Sequence, residues 1–122
     1  MMNLLNKKIN DYHVILASKS PRRHELLSHI IKEFKIVSDD INEEFSPHLK
    51  INEIAQYIAE KKANFYLKKV KTNEIYITAD TVVILKNKIL GKPIDEKDAF
   101  NMLKSLSDKS HLVHTGVSII FN

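Results

Sequence analysis

A chain of 122 residues, 43% hydrophobic and 28% charged, is sized for one globular domain with a single modest core. It has no Cys, which excludes disulfides, thiolate metal sites and a thiol nucleophile and fits a reducing cytoplasm, while a net charge of +4 suits an anionic ligand. No apolar run is long enough to span a membrane, and residues 1–11 have neither an apolar h-region nor a small-residue cleavage site, so no secretory signal is expected.

The first element is a strand, His13-Val14-Ile15-Leu16-Ala17. A polar loop, Ser18-Lys19-Ser20, then leads into an amphipathic helix that begins Pro21-Arg22-Arg23 and runs through His24 to Ile31. Ser20 suits the N-cap, and Pro21 suits the first helical position, where its missing N–H would be unbonded anyway. Free N–H groups at such a helix start, with the positive end of the helix dipole behind them, attract anions. Ser18 and Ser20 add hydroxyl donors, and Arg22 and Arg23 add charge and a fork suited to phosphate oxygens. Two readings stand side by side: a phosphate-binding loop, or an ordinary capped helix with a solvated Arg pair.

Phe34–Ser38 reads as a second strand, and Asp39–Glu44 as an acidic loop that on charge alone is a solvated turn. After the loop Ser46-Pro47-His48, a long helix places Ile51, Ile54, Ala55, Ile58, Ala59, Lys62, Ala63 and Tyr66 on one stripe. Lys62, the odd member, either snorkels to the surface or points into a cleft.

Glu74–Ala79 is a buried-type strand ending at Asp80-Thr81, with Val82–Leu85 continuing extended. An Asp at the carboxyl end of a central strand sits where open α/β sheets build ligand crevices. There it can hold a divalent cation or take a proton from water, or it can merely turn the chain. Leu85–Leu90 is a hairpin with Asn87 in the turn. Pro93 keeps Gly91-Lys92 extended, so Lys92 points either into the cleft or out to solvent. Asp95 caps a helix with an apolar stripe (Ala99, Phe100, Met102, Leu103, Leu106); a turn at 107–110 leads to the strand His111–Phe121. His111 and His114 fall on opposite faces of that strand and make a poor metal pair, and His24 and His29 read as surface helix residues.

The stretch from Ile15 to Leu27 resembles the N-terminal signature of the Maf family of nucleoside triphosphate pyrophosphatases. Lys62-Ala63, Ala79-Asp80-Thr81-Val82-Val83, Lys92-Pro93 and Thr115-Gly116-Val117 are similar to later motifs of the same family. The resemblance implies an α/β fold of inosine triphosphate pyrophosphatase-like architecture, a mixed twisted sheet flanked by helices, as one domain over 1–122. Residues 12–122 match the family's N-terminal part, so the chain is expected to lack its C-terminal part, including a Gln near the base. Such a chain exposes sheet edges, a route to partner pairing and a homodimer.

The resemblance further implies Asp80 as the catalytic acidic residue and a ligand of Mg²⁺ or Mn²⁺, with Glu43 as a second candidate ligand. It implies Ser18, Ser20, Arg22, Arg23, Lys62 and Lys92 as substrate-binding residues, and Arg22 and Thr81 as specificity positions. Asp80-Thr81 with Pro21-Arg22-Arg23 is similar to the subgroup acting on dTTP and UTP; the 7-methyl-GTP subgroup carries Asp-Gln and a Trp before the Arg. The expected activity is hydrolysis of dTTP and UTP to the monophosphate and pyrophosphate. The alternatives are a catalytically impaired nucleotide- or partner-binding module, or a 7-methyl-GTP pyrophosphatase. Nucleic-acid binding ranks last, because the positive charges are scattered and no aromatic platform interleaves with them.

Overall fold

A computed structural model describes residues 10–90, 95–106 and 112–122. Lys92, the extended Gly91-Lys92-Pro93 segment, the turn expected at 107–110 and His111 lie outside the described residues.

Strand β1 (His13–Ala17) is followed by helix α1 (Pro21–Ser28) and strand β2 (Lys35–Val37). A 3₁₀ turn (Ile51–Glu53) opens directly into helix α2 (Ile54–Tyr66). Strand β3 (Glu74–Leu85), strand β4 (Lys88–Leu90), helix α3 (Glu96–Leu106) and strand β5 (Leu112–Phe121) complete the order. Among the described residues, no helix is long and apolar enough to cross a membrane.

The fold is α/β, with one mixed five-stranded sheet. β1 pairs parallel with β2 and with β3, while β4 and β5 pair antiparallel with β3. β5 follows β3 in unbroken register from Ile75↔Phe121 to Ile84↔Leu112. Since β5 fills one edge of β3 throughout, β1 and β4 must share the other. β1 pairs there as far as Ile77, and β4 starts at Val83. Among the described residues, no strand pairs with 78–82 of β3 on that edge.

Expected and observed elements differ in two places. β3 does not end at Asp80-Thr81; it runs through both as one twelve-residue strand. The polar pair is tolerated inside it because the Asp80 carboxylate is ion-paired and β-branched Thr81 is a good strand former. Helix α1 stops at Ser28 instead of continuing to Ile31. The Leu27 carbonyl accepts both Ile30 N–H (2.9 Å) and Ile31 N–H (2.8 Å), so the chain tightens into a turn and buries Ile31 outside the helix. The hairpin forms as expected, with Lys86 and Asn87 both at positive φ, as a two-residue turn of matching twist requires.

Helix α2 lies on the sheet through the stripe read from the sequence: Ile54, Ala55, Ile58, Ala59, Ala63 and Tyr66 are all buried. Ile54, Ala55 and Ile58 pack against Val82 and Ile84 of β3, and Tyr66 packs with Ile15, Ala17 and Tyr76. The Ala59 carbonyl accepts a 2.7 Å hydrogen bond from the hydroxyl of fully buried Thr78. Helix and strand are thus locked two residues before Asp80.

Candidate active site

Within residues 78–82 of β3, Asp80 and Thr81 line a cavity of about 630 Å³. The loop after β1 lines it with Ser18, Lys19 and Ser20, and the acidic loop after β2 with residues 38–43. Arg23, Lys62, Tyr66, Asp80 and Thr81 complete the lining.

The loop after β1 is built as its sequence suggests. Ser20 is extended and caps α1, its hydroxyl accepting Arg23 N–H at 3.3 Å, with Pro21 opening the helix. Ser18 Oγ accepts Ser20 N–H at 3.1 Å, which folds the loop onto itself. His24 is not a free surface residue: its Nε2 lies 2.7 Å from the Ser18 carbonyl and, as a donor there, ties α1 back to the loop. Successive helical positions are turned by about 100°, so the two arginines diverge. Arg23 faces the cavity, donating to the Ala79 carbonyl (3.2 Å) and to Thr81 Oγ1 (3.0 Å). Arg22 points away, is exposed and pairs with Glu25 at 3.4 Å.

Ala79 opposes Val117 of β5, and its carbonyl is taken by side chains from the open edge. This marks a pair whose backbone groups point outward on both strands, as alternate pairs of an antiparallel ladder do. Arg23 and Lys62 Nζ (3.2 Å) both donate to that carbonyl, filling the place a neighbouring strand would take. Lys62 comes from the inner face of α2 and its side chain is only 15% exposed, so it points into the cleft. The same Nζ lies 3.2 Å from Asp80 Oδ1 and 3.1 Å from Glu43 Oε1.

Asp80 is 7% exposed. Burial pushes its carboxyl above the ordinary aspartate value, and Glu43 adds to this; Lys62 and Arg23 pull the other way without cancelling it. The acidic loop is anchored by three of its carboxylates and by its Glu44 carbonyl, which accepts from Lys61 Nζ at 2.9 Å. Asp39 accepts from the Tyr66 hydroxyl (2.8 Å), Asp40 pairs with Lys19, and Glu43 pairs with Lys62. Glu43 is therefore the residue of the acidic run that reaches Lys62. Burial, then the bond to Asp39, raises the Tyr66 phenol far above its usual value, so it stays a donor. The Lys19–Asp40 hydrogen bond raises the lysine and lowers the carboxyl.

Of the residues singled out in the sequence, Ser18, Ser20, Arg23, Lys62, Asp80, Thr81 and Glu43 converge on one cavity, and Arg22 does not. Sequence reasoning missed Lys19, Asp39 and Tyr66. Tyr66 could have been found, because it follows Lys62 by one helical turn on the same stripe.

The family of Maf-like proteins matches residues 13–122. A dTTP/UTP pyrophosphatase from Flavobacterium johnsoniae is 44% identical over 114 residues, covering 93% of this chain and 59% of that protein. One from Clostridium botulinum (strain Alaska E43 / Type E3) is 50% identical over 108 residues, covering 88% of this chain and 57% of that protein. One from Bacteroides thetaiotaomicron is 43% identical over 112 residues, covering 91% and 58%. The chain thus spans a little over half the length of these curated relatives.

Proposed function

Because the chain belongs to the family of Maf-like proteins, we propose that it is, or forms part of, a cytoplasmic nucleoside triphosphate pyrophosphatase acting on dTTP and UTP. One observation of the structure supports this most directly: a buried carboxylate, Asp80, sits beside Lys62 and Arg23, which converge on the open edge of β3. The names of the relatives support the choice of substrate, and the lack of Cys supports the compartment.

In the proposed reaction the triphosphate lies over the Ser18–Ser20 loop. Arg23 and Lys62 take phosphate oxygens and offset the charge that builds on the leaving pyrophosphate. Water attacks the α-phosphorus, the bond from that phosphorus to the bridging oxygen of the β-phosphate breaks, and the water proton passes to the Asp80 carboxylate. The raised proton affinity of Asp80 suits it to that task better than an ordinary aspartate.

A divalent cation, Mg²⁺ or Mn²⁺, fits the donor set. Among the described residues no cluster of three or more metal-ligating side chains exists, but Asp80 and Glu43 both bracket the Lys62 ammonium. Two carboxylates plus substrate phosphates are the usual holders of Mg²⁺. The described lining also counts four carboxylates (Asp39, Asp40, Glu43, Asp80) against three cations (Lys19, Arg23, Lys62), so a triphosphate gains from arriving with a counter-cation. When bound by Asp80 and Glu43, such an ion supplies positive charge at the phosphates and acidifies bound water.

The test is pyrophosphate release from dTTP, UTP, 7-methyl-GTP and ATP with Mn²⁺ or Mg²⁺. Release from dTTP and UTP that disappears in Asp80→Asn is the expected result. A folded protein that releases pyrophosphate from none of the four overturns the proposal, and preference for 7-methyl-GTP overturns the substrate assignment.

A further inference from the structure

β5 reaches the candidate site through Thr115, which touches the cavity-lining residue Thr81. Its Oγ1 lies 3.0 Å from Thr81 Oγ1, and the two residues are direct partners across the β3–β5 ladder. Thr81 Oγ1 in turn accepts from Arg23 Nη2 at 3.0 Å, while Arg23 Nη1 donates to the Ala79 carbonyl. A chain of hydrogen bonds therefore runs from β5 through Thr81 to the guanidinium that faces the cavity.

A threonine hydroxyl has one proton and two lone pairs. Arg23 uses one lone pair of Thr81. Thr115 uses either the proton or the second lone pair, so a single direction remains for Thr81 toward a ligand. The position of Thr115 is itself held firmly. The neighbouring Gly116 abuts the backbone of α2, where a Cβ would stand 2.5 Å from Gln56 Cα and 2.6 Å from the Ala55 carbonyl. One residue further, Gln56 brackets Val117, its Oε1 accepting Val117 N–H (3.1 Å) and its Nε2 donating to the Val117 carbonyl (3.0 Å). Helix α2 carries Lys62 and clamps β5 about a turn and a half earlier, at Gln56, so Lys62 and, through Thr115 and Thr81, Arg23 are referenced to the same helix.

We propose that Thr115 is a positioning residue of the nucleotide site, which fixes the Arg23 guanidinium against the phosphates by orienting the Thr81 hydroxyl. This rests on the nucleotide reading above, and its test separates the two. Thr115→Val keeps the β-branched shape and removes the hydroxyl; Thr115→Ser keeps the hydroxyl. In ¹⁵N-labelled protein without ligand, Thr115→Val should shift and broaden the Arg23 side-chain N–H signals, and Thr115→Ser should leave them in place. With dTTP, Thr115→Val should raise KM about fivefold, more than it lowers kcat, and Thr115→Ser should restore it. In a Thr81→Val background the Thr115→Val change should add nothing further.

Arg23 signals that do not respond to Thr115→Val, or an effect on KM that simply adds to that of Thr81→Val, overturn the positioning role. Arg23 signals that respond in a protein releasing no pyrophosphate leave that role standing and overturn the enzymatic reading instead.

Discussion

Two regions of this molecule treat apolar side chains in opposite ways. Where β1, α2 and β3 meet, Val14, Ile15, Leu16, Ile54, Ile58, Tyr66, Val82 and Ile84 are all less than a tenth exposed. On α3 and β5, Phe100, Leu103, Leu112, Val113, Val117, Ile119 and Phe121 are roughly half or more exposed. Lys62 and Asp80, the buried ion pair of the candidate site, sit in the first region. Holding Lys62 between Asp80 and Glu43 demands rigid neighbours and low water access, because long side chains in free solvent gain little from pairing. The second region reaches the site at Thr115, and α2 holds it at Gly116, at Val117 and, through Tyr66, at Ile120. Dense packing thus surrounds the one ion pair of the site that is shielded from water, Lys62–Asp80.

The sharpest way to break this contrast is to remove the charge that the first region shelters. Asp80→Asn should abolish turnover and at the same time raise Tm at neutral pH. The sign follows from the raised carboxyl: ionised Asp80 costs stability, a cost absent below the unfolded-state pKa that grows as pH rises and is complete above the folded one. By the same logic, the acidic limb of activity should lie at higher pH than for an ordinary aspartate. A Tm lowered by several degrees in Asp80→Asn would contradict the burial argument.

Next comes the seam between the regions. Gly116→Ala forces a Cβ into helix backbone that cannot swing aside, and should cost about 3 kcal/mol, seen as a Tm lower by on the order of 10 °C. Thr78→Val strips the 2.7 Å hydrogen bond to the Ala59 carbonyl from a fully buried position and should cost about 1–2 kcal/mol in denaturant unfolding. At the far end of the scale, Leu103→Ser on exposed α3 should change stability by less than about 0.5 kcal/mol. A larger loss there would mean that α3 is covered in solution.

Much of the packed region was legible in the sequence because helical and strand periodicity are local. The stripe of α2, the β1 strand, the Ser20 cap with Pro21, and the Asn87 turn all follow from neighbours within a few residues. The continuity of β3 was not legible, since Asp80-Thr81 looks like a strand end until Lys62, 18 residues away, is seen to neutralise the carboxylate. The outward turn of Arg22 was within reach of helical geometry, as two adjacent positions cannot share one face. The Tyr66–Asp39 and Thr81–Thr115 bonds join residues 27 and 34 positions apart, and no local pattern announces them. The part of the site that came from single motifs was readable; the part that came from sheet register was not.

The clamp between Gln56 and Val117 has a consequence for synthesis. Its two halves lie 61 residues apart in the chain. A ribosome delivers α2 well before β5, so the helix must wait, its Gln56 amide solvated, while the intervening β3 hairpin emerges. Long loops close slowly relative to local helices and turns. Thr115 and Gly116 therefore arrive late, beside a pocket whose cations and carboxylates are already present. An unfinished chain would hold the charges of the site without the strand that aims them.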